Sequence, residues 1–122
     1  MLLGSLYNTV SKNIAGFESE FTIKVDSSHP IYSGHFPGFP VTPGVVELEI
    51  VRELTGEVLD CRLRLLKISN CKFTYILNPV VVGEMQVNIS IKPVDNDYKV
   101  VATISDTENT YLILKATYCL AS

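Results

Sequence analysis

The stretch "TPGVVELEIVRELTG", residues 42 to 56, restricts the fold of this chain more than any other, because it describes a helix that is apolar on almost every side. Thr42 suits the N-cap, and Pro43 suits the first helical position, where a missing N–H costs nothing. Gly56 suits the C-cap. At 100° per residue Leu48, Val51 and Leu54 share one face and Val45, Val46 and Ile50 widen it, while Glu49, Arg52 and Glu53 form one narrow polar strip. Glu47 falls near the apolar side, where its expected partners are the helix's own N-terminal amides or a subunit interface. Such a helix has to be wrapped by other structure.

The rest of the chain reads as strand. In "EMQVNISIK", Met85, Val87, Ile89 and Ile91 alternate with Gln86, Asn88, Ser90 and Lys92, the period of two that a half-buried strand requires. "SEFTIKVD" repeats the pattern with Phe21, Ile23 and Val25. "YKVVATISD" and "TYLILKATYCL" continue it, the first joined to the preceding strand through the turn formers Asp95, Asn96 and Asp97. Arg62 to Leu77 contains no Gly or Pro and reads as one bent strand with a bulge near Asn70. A first strand falls within Leu6–Ile14. Two strands, a helix and four antiparallel strands predict an α+β fold in which a curved antiparallel sheet wraps one central helix, the hotdog architecture, with residues 1–122 as a single domain.

Composition limits the partners. Hydrophobic residues are 47% of the chain and charged residues 19%, more apolar surface than a monomer of this size hides, so a homodimer or higher homo-oligomer is expected. A net charge of −3 and the lack of any Lys/Arg run argue against nucleic acid as a partner. The N-terminus has no basic start, and no window approaches the roughly 20 apolar residues of a membrane helix, so the expectation is a cytoplasmic protein with no membrane contact. Cys61, Cys71 and Cys119 are odd in number and lack CxxC spacing, which predicts reduced packing residues and no metal site.

The run "SGHFPGFPVTPGVVELE", residues 33 to 49, holds three of the chain's six prolines and three of its seven glycines around a histidine. Gly34 and Gly38 flank His35-Phe36-Pro37, and Pro40 and Pro43 fix φ beyond them, so the segment reads as an ordered loop that places His35 firmly. It leads into a helix N-terminus with free N–H groups at Gly44 and Val45, and Glu49 follows one and a half turns later. An imidazole, an anion-stabilising helix end and a carboxyl are what elimination of water from a 3-hydroxyacyl thioester requires. A base takes the C2 proton, N–H donors hold the enolate-like oxygen, and an acid protonates the departing C3 hydroxyl.

"GHFPGFPVTPGVVELE" resembles the signature of the beta-hydroxyacyl-acyl-carrier-protein dehydratases: H-F-P-G, a Pro two residues on, P-G, and an acidic residue fourteen positions after the His. "HPIYSGH" before it and "CKFTYILNPVVVGE" after it are similar to further family segments, so about half of the chain is covered. The resemblance implies that His35 is the catalytic histidine and Glu49 the catalytic carboxylate. It also implies that the Gly44 N–H polarises the thioester carbonyl, with Phe36, Pro43 and Val45 supporting the substrate channel. No cofactor is implied. The substrate is carried by acyl carrier protein, and the His and acidic residue of one site come from different subunits of a dimer.

Two departures from the pattern bear on this. Arg52 and Glu53 stand where the family carries small or amide residues; a guanidinium facing Glu49 would keep it ionised, so Arg52 is expected to turn away, toward Glu53 or a neighbouring subunit. The segment between Phe73 and Gly83 is longer than in the housekeeping enzymes and the N-terminal portion shorter, which implies a specialised member serving a fatty-acid-like or polyene chain. His29 reads as structural support rather than a metal ligand. Arg62, Arg64, Lys67 and Lys72 read as a solvated face that could also attract an acidic carrier. Two other functions compete: a hotdog thioesterase, in which a carboxylate activates water, and a non-catalytic hotdog subunit that binds an acyl carrier or scaffolds an active homologue.

Overall fold

The computed structural model describes residues 1–33, 41–80 and 82–121. Six strands, β1 (Tyr7–Ala15), β2 (Glu18–Val25), β3 (Leu63–Phe73), β4 (Glu84–Val94), β5 (Asp97–Ser105) and β6 (Thr110–Leu120), form one antiparallel sheet in the order β1-β2-β4-β5-β6-β3. The α-helix α1 (Gly44–Leu59) lies between β2 and β3 in sequence. A short 3-10 turn, Pro30–Tyr32, precedes it. This is the hotdog arrangement that the element order predicts.

Alternation decides which face of the sheet the helix meets. Phe21, Ile23 and Val25 of β2 and Met85, Val87, Ile89 and Ile91 of β4 are buried, as the period of two requires. From the helix Val46, Ile50, Val51 and Leu54 join the same core, each worth roughly 1.5–3 kcal/mol relative to full exposure. The strand Arg62–Leu77 is shorter than expected, ending at Phe73, and its pairing with β6 shifts register between Leu65 and Lys67 and again between Ile68 and Asn70. The second shift is the irregularity anticipated near Asn70.

The helix ends differ from what residue types alone suggest. Pro43, not Thr42, is the N-cap residue, and it makes no side-chain cap bond. Thr42 is buried and its hydroxyl is engaged 2.9 Å from the Tyr32 hydroxyl, so a tertiary contact takes the oxygen that would have capped the helix. At the other end α1 runs past Gly56 to Leu59, and Asp60 takes the left-handed conformation (φ 52°). Gly56 serves another purpose: a Cβ there would lie 2.7 Å from the carbonyl oxygen of Cys61, where the chain folds back under the helix.

Glu53 leaves the polar strip altogether. It is 6% exposed, and its carboxyl accepts the backbone N–H groups of Leu2 (2.9 Å) and Leu3 (3.0 Å) and the hydroxyl of Tyr7 (3.1 Å). Bonds of this kind to a charged acceptor contribute roughly 1.5–3 kcal/mol each, so Glu53 ties the first strand's approach to the middle of the helix. Burial and the neighbouring Glu53 carboxylate together push the Tyr7 phenol well above its ordinary range, which keeps it a donor.

β3 is left at the sheet edge. Leu65, Leu66, Ile68 and Phe73 are all exposed there, together with Arg64, Lys67 and Lys72. A long edge strand with apolar side chains is a template for pairing with another chain. The three cysteines are free thiols. Among the described residues no helix is long and apolar enough to cross a membrane.

Candidate active site

The site is organised by the start of α1 and the end of β3. Val46 and Glu47 are the first helical residues whose N–H groups find backbone acceptors among the described residues, both on the Pro43 carbonyl (3.0 and 3.3 Å). The N–H groups of Gly44 and Val45 precede them at the positive end of the helix dipole, which suits them to hold developing negative charge. Gly44 lets the Phe73 ring pack against the helix start: a Cβ would stand 2.5 Å from Cζ of Phe73, and the ring would have to move aside. The Phe73 ring, itself half exposed, therefore lies against the glycine whose missing side chain was expected to admit a ligand. Val45 points outward and is 72% exposed.

His35 and Phe36 lie outside the described residues, so the structure does not place the motif's histidine. His29 accepts the Ile31 N–H on Nδ1 (3.0 Å) and caps the short 3-10 turn, the supporting role expected of it.

Glu49 and Arg52 correct the sequence expectation. Arg52 does not turn away: its Nε donates to Oε1 of Glu49 at 2.7 Å and its Nη2 to Oε2 at 2.5 Å, a bidentate pair. Two conditions produce this. The alternative partner, Glu53, is occupied by Leu2, Leu3 and Tyr7, and the remaining guanidinium nitrogen donates to the Leu63 carbonyl at 3.0 Å, which fixes the fork over Glu49. The guanidinium's hydrogen bonds hold the Glu49 carboxyl below the usual carboxylate range, against a smaller upward push from partial burial. In this chain Glu49 is a carboxylate, and a carboxylate is a poor proton donor.

Glu47 is the carboxyl with the opposite character. It is 3% exposed, and its Oε1 is buried with no hydrogen-bond partner among the described residues. Burial raises its pKa to about 8, so it carries a proton at neutral pH. It lines a cavity of about 380 Å³ together with Thr42, Gly44, Phe73, Thr74 and Tyr75. The helix wheel places Glu47 on the inner side; no spacing or motif explains an acid there, and only the cavity does. A larger cavity of about 610 Å³ lies at the other end of the helix, lined in part by Arg52, Glu53, Glu57 and Asp60, away from Gly44.

Comparisons with known proteins bear on the family and the fold. The profile of the ApeI-like family, described as ApeI dehydratase, matches residues 11–111. The chain is 34% identical over 85 residues to the 3-hydroxyacyl-[acyl-carrier-protein] dehydratase FabZ of Ruegeria sp. (strain TM1040), covering 62% of this chain and 53% of that protein. It is 29% identical over 94 residues to FabZ of Rickettsia massiliae (strain Mtu5), covering 65% and 61%. It thus spans between half and two thirds of the length of these curated relatives. Among solved structures, a chain of the dehydratase heterocomplex ApeI:P from Xenorhabdus doucetiae superposes with a TM-score of 0.73 at 20% identity, over 91% of this chain and 96% of that one. An uncharacterised protein from Erwinia carotovora subsp. atroseptica does so with a TM-score of 0.68 at 21% identity, over 95% and 96%. At these identities the two structures share the fold.

Proposed function

The chain belongs to the ApeI-like dehydratase family, and from that premise we propose that it removes water from 3-hydroxyacyl thioesters carried on acyl carrier protein, giving trans-2-enoyl thioesters without a cofactor. The observation that carries this reading is the juxtaposition at the start of α1 of helical N–H groups with no backbone acceptor among the described residues and a cavity beside them, following the motif's histidine in sequence. In this reading His35 takes the C2 proton, and the Gly44 N–H holds the charge that moves onto the thioester oxygen. Donors aimed at such an oxyanion are worth roughly 10²–10³ in rate. Phe73 swings off Gly44 to admit the acyl group; its half-exposed ring has solvent on one side to move into. A fatty-acid-like or polyene chain fits the departures in the sequence.

A second chain completes the site in this reading. The exposed apolar residues of β3 support pairing edge to edge, and Arg64, Lys67 and Lys72 along the same strand give the assembly a basic rim suited to an acidic carrier. Sedimentation is expected to give at least twice the chain's 13.5 kDa. A single-chain mass at assay concentration speaks against a shared site.

The Arg52–Glu49 pair favours one alternative, a non-catalytic subunit that completes an active homologue, and the heterocomplex among the structural neighbours fits it. Both readings, and the thioesterase, are separated by supplying a trans-2-enoyl thioester and following loss of the conjugated double bond while titrating free thiol. The proposed function expects loss of the double bond with no thiol released. Thiol release selects hydrolysis, and no change in either selects the non-catalytic subunit.

A further inference from the structure

Dehydration needs a proton for the departing hydroxyl, and the carboxyl at the motif position is ill suited to give one. Glu49 is held by two guanidinium nitrogens, and its partner Arg52 is itself anchored to the Leu63 carbonyl, so the pair is braced from β3. On α1 the same helix presents a second carboxyl, two residues earlier and roughly 200° around the axis, that shares a cavity with Gly44. We propose that Glu47 is a further catalytic residue of this chain, donating its proton to the oxygen that leaves C3 of an acyl group bound in the cavity beside Gly44. This rests on the dehydratase reading and deepens it.

Four observations converge on Glu47. Its Oε1 is buried without a partner among the described residues, an arrangement that is unfavourable for a polar group and that a ligand oxygen would relieve. It stands one helical turn from Gly44, so a group held by the Gly44 N–H lies within its reach. No described cation pairs with it, which leaves burial free to keep it protonated. Among the described residues, the titratable groups that feel its charge from the packed elements are Tyr32, in the 3-10 turn, and Cys71, on β3; burial raises both above their ordinary values, so neither is charged at neutral pH. Tyr75 lines the same cavity.

The step balances. The C2 proton passes to the base, the electron pair of that C–H bond forms the C2–C3 double bond, and the C3–O bond breaks with its pair on oxygen. That oxygen takes the Glu47 proton and leaves as water. Transfer of the base's proton back to the Glu47 carboxylate restores the starting enzyme, with no net proton gained or lost.

The test compares Glu47→Gln with Glu49→Gln in the assembled protein, supplied with 3-hydroxyacyl carrier protein. The amide in Glu47→Gln keeps the shape and a hydrogen-bonding N–H but has no acidic proton to give. The expected result is a fall in kcat of about 10²-fold or more for Glu47→Gln with KM within a few-fold, the scale of a lost general acid, and a smaller fall for Glu49→Gln. The parent's rate should also decline as pH rises through about 8, a limb that Glu47→Gln abolishes. A parent that turns over while Glu47→Gln does so equally well overturns the inference and leaves the dehydratase reading standing. If the parent itself is inactive that reading fails, and infrared spectroscopy decides the inference: a carboxylic-acid C=O band at neutral pH, lost in Glu47→Gln and moved by added 3-hydroxyacyl thioester, supports the contact. A band that does not move rules it out.

Discussion

His35→Ala is expected to fold as the parent does and to lose both hydration and dehydration by a factor of roughly 10² or more, the scale on which a positioned general base acts. The cause is local. Three prolines and three glycines within seventeen residues are the composition of a loop whose sequence restricts its backbone, and the side chain they bracket is a histidine. The other histidine of the sequence, His29, commits its Nδ1 to the Ile31 N–H. Circular dichroism and thermal unfolding of the variant establish that it folds, and turnover in either direction measures the loss. A His35→Ala protein that works at close to the parental rate removes His35 from the mechanism.

The second large effect concerns stability. The folded protein holds Glu47 protonated up to about pH 8, whereas an unfolded chain releases that proton near the ordinary value of 4.5. Below about pH 4.5 both states carry the proton and its ionisation costs the fold nothing. Between 4.5 and 8 the unfolded state gains by ionising and the folded state does not, so stability falls with rising pH; above 8 both are ionised and the loss is complete. The full span is on the order of 5 kcal/mol, from the shift and the energy of one pKa unit. Glu47→Leu removes the ionisation and fills much the same volume. The variant's stability relative to the parent should therefore rise with pH between about 4.5 and 8, by a few kcal/mol over that span, and level off on either side. Parallel pH profiles for the two proteins would show that Glu47 is not desolvated in solution. Together with the turnover test, this separates where Glu47 is from what it does.

How much of this was legible in the chain depends on how local each cause is. β2 and β4 show their buried faces in the alternation of Phe21, Ile23 and Val25 and of Met85, Val87, Ile89 and Ile91, because a strand's two faces are set residue by residue. The helix was legible from its apolar girth, and its ends were not. Gly56 signals a C-cap by type, yet it is needed for the close passage of the Cys61 carbonyl, and Asp60 adopts the left-handed turn instead. Thr42 signals an N-cap, yet Tyr32 takes its hydroxyl. Arg52 departs from expectation for a similar reason: i,i+3 reach to Glu49 is local, but the competing partner Glu53 is withdrawn by the backbone of Leu2 and Leu3, 51 and 50 positions away, which no spacing rule reports. Glu47 was visible as an acid on the wrong face of the helix. Its burial explains that position only once the cavity beside Gly44 is seen.

Reversible loss of water from a carrier-bound 3-hydroxyacyl chain is tested most directly by the mass of the acyl group on acyl carrier protein at equilibrium. The assembled protein is incubated in parallel with 3-hydroxyacyl and with trans-2-enoyl carrier protein, over several chain lengths. For at least one length the two reactions are expected to converge on the same mixture of species differing by one water, while His35→Ala leaves each starting mass in place. Starting masses that persist with the parent protein, or an acyl group lost from the carrier altogether, would contradict it.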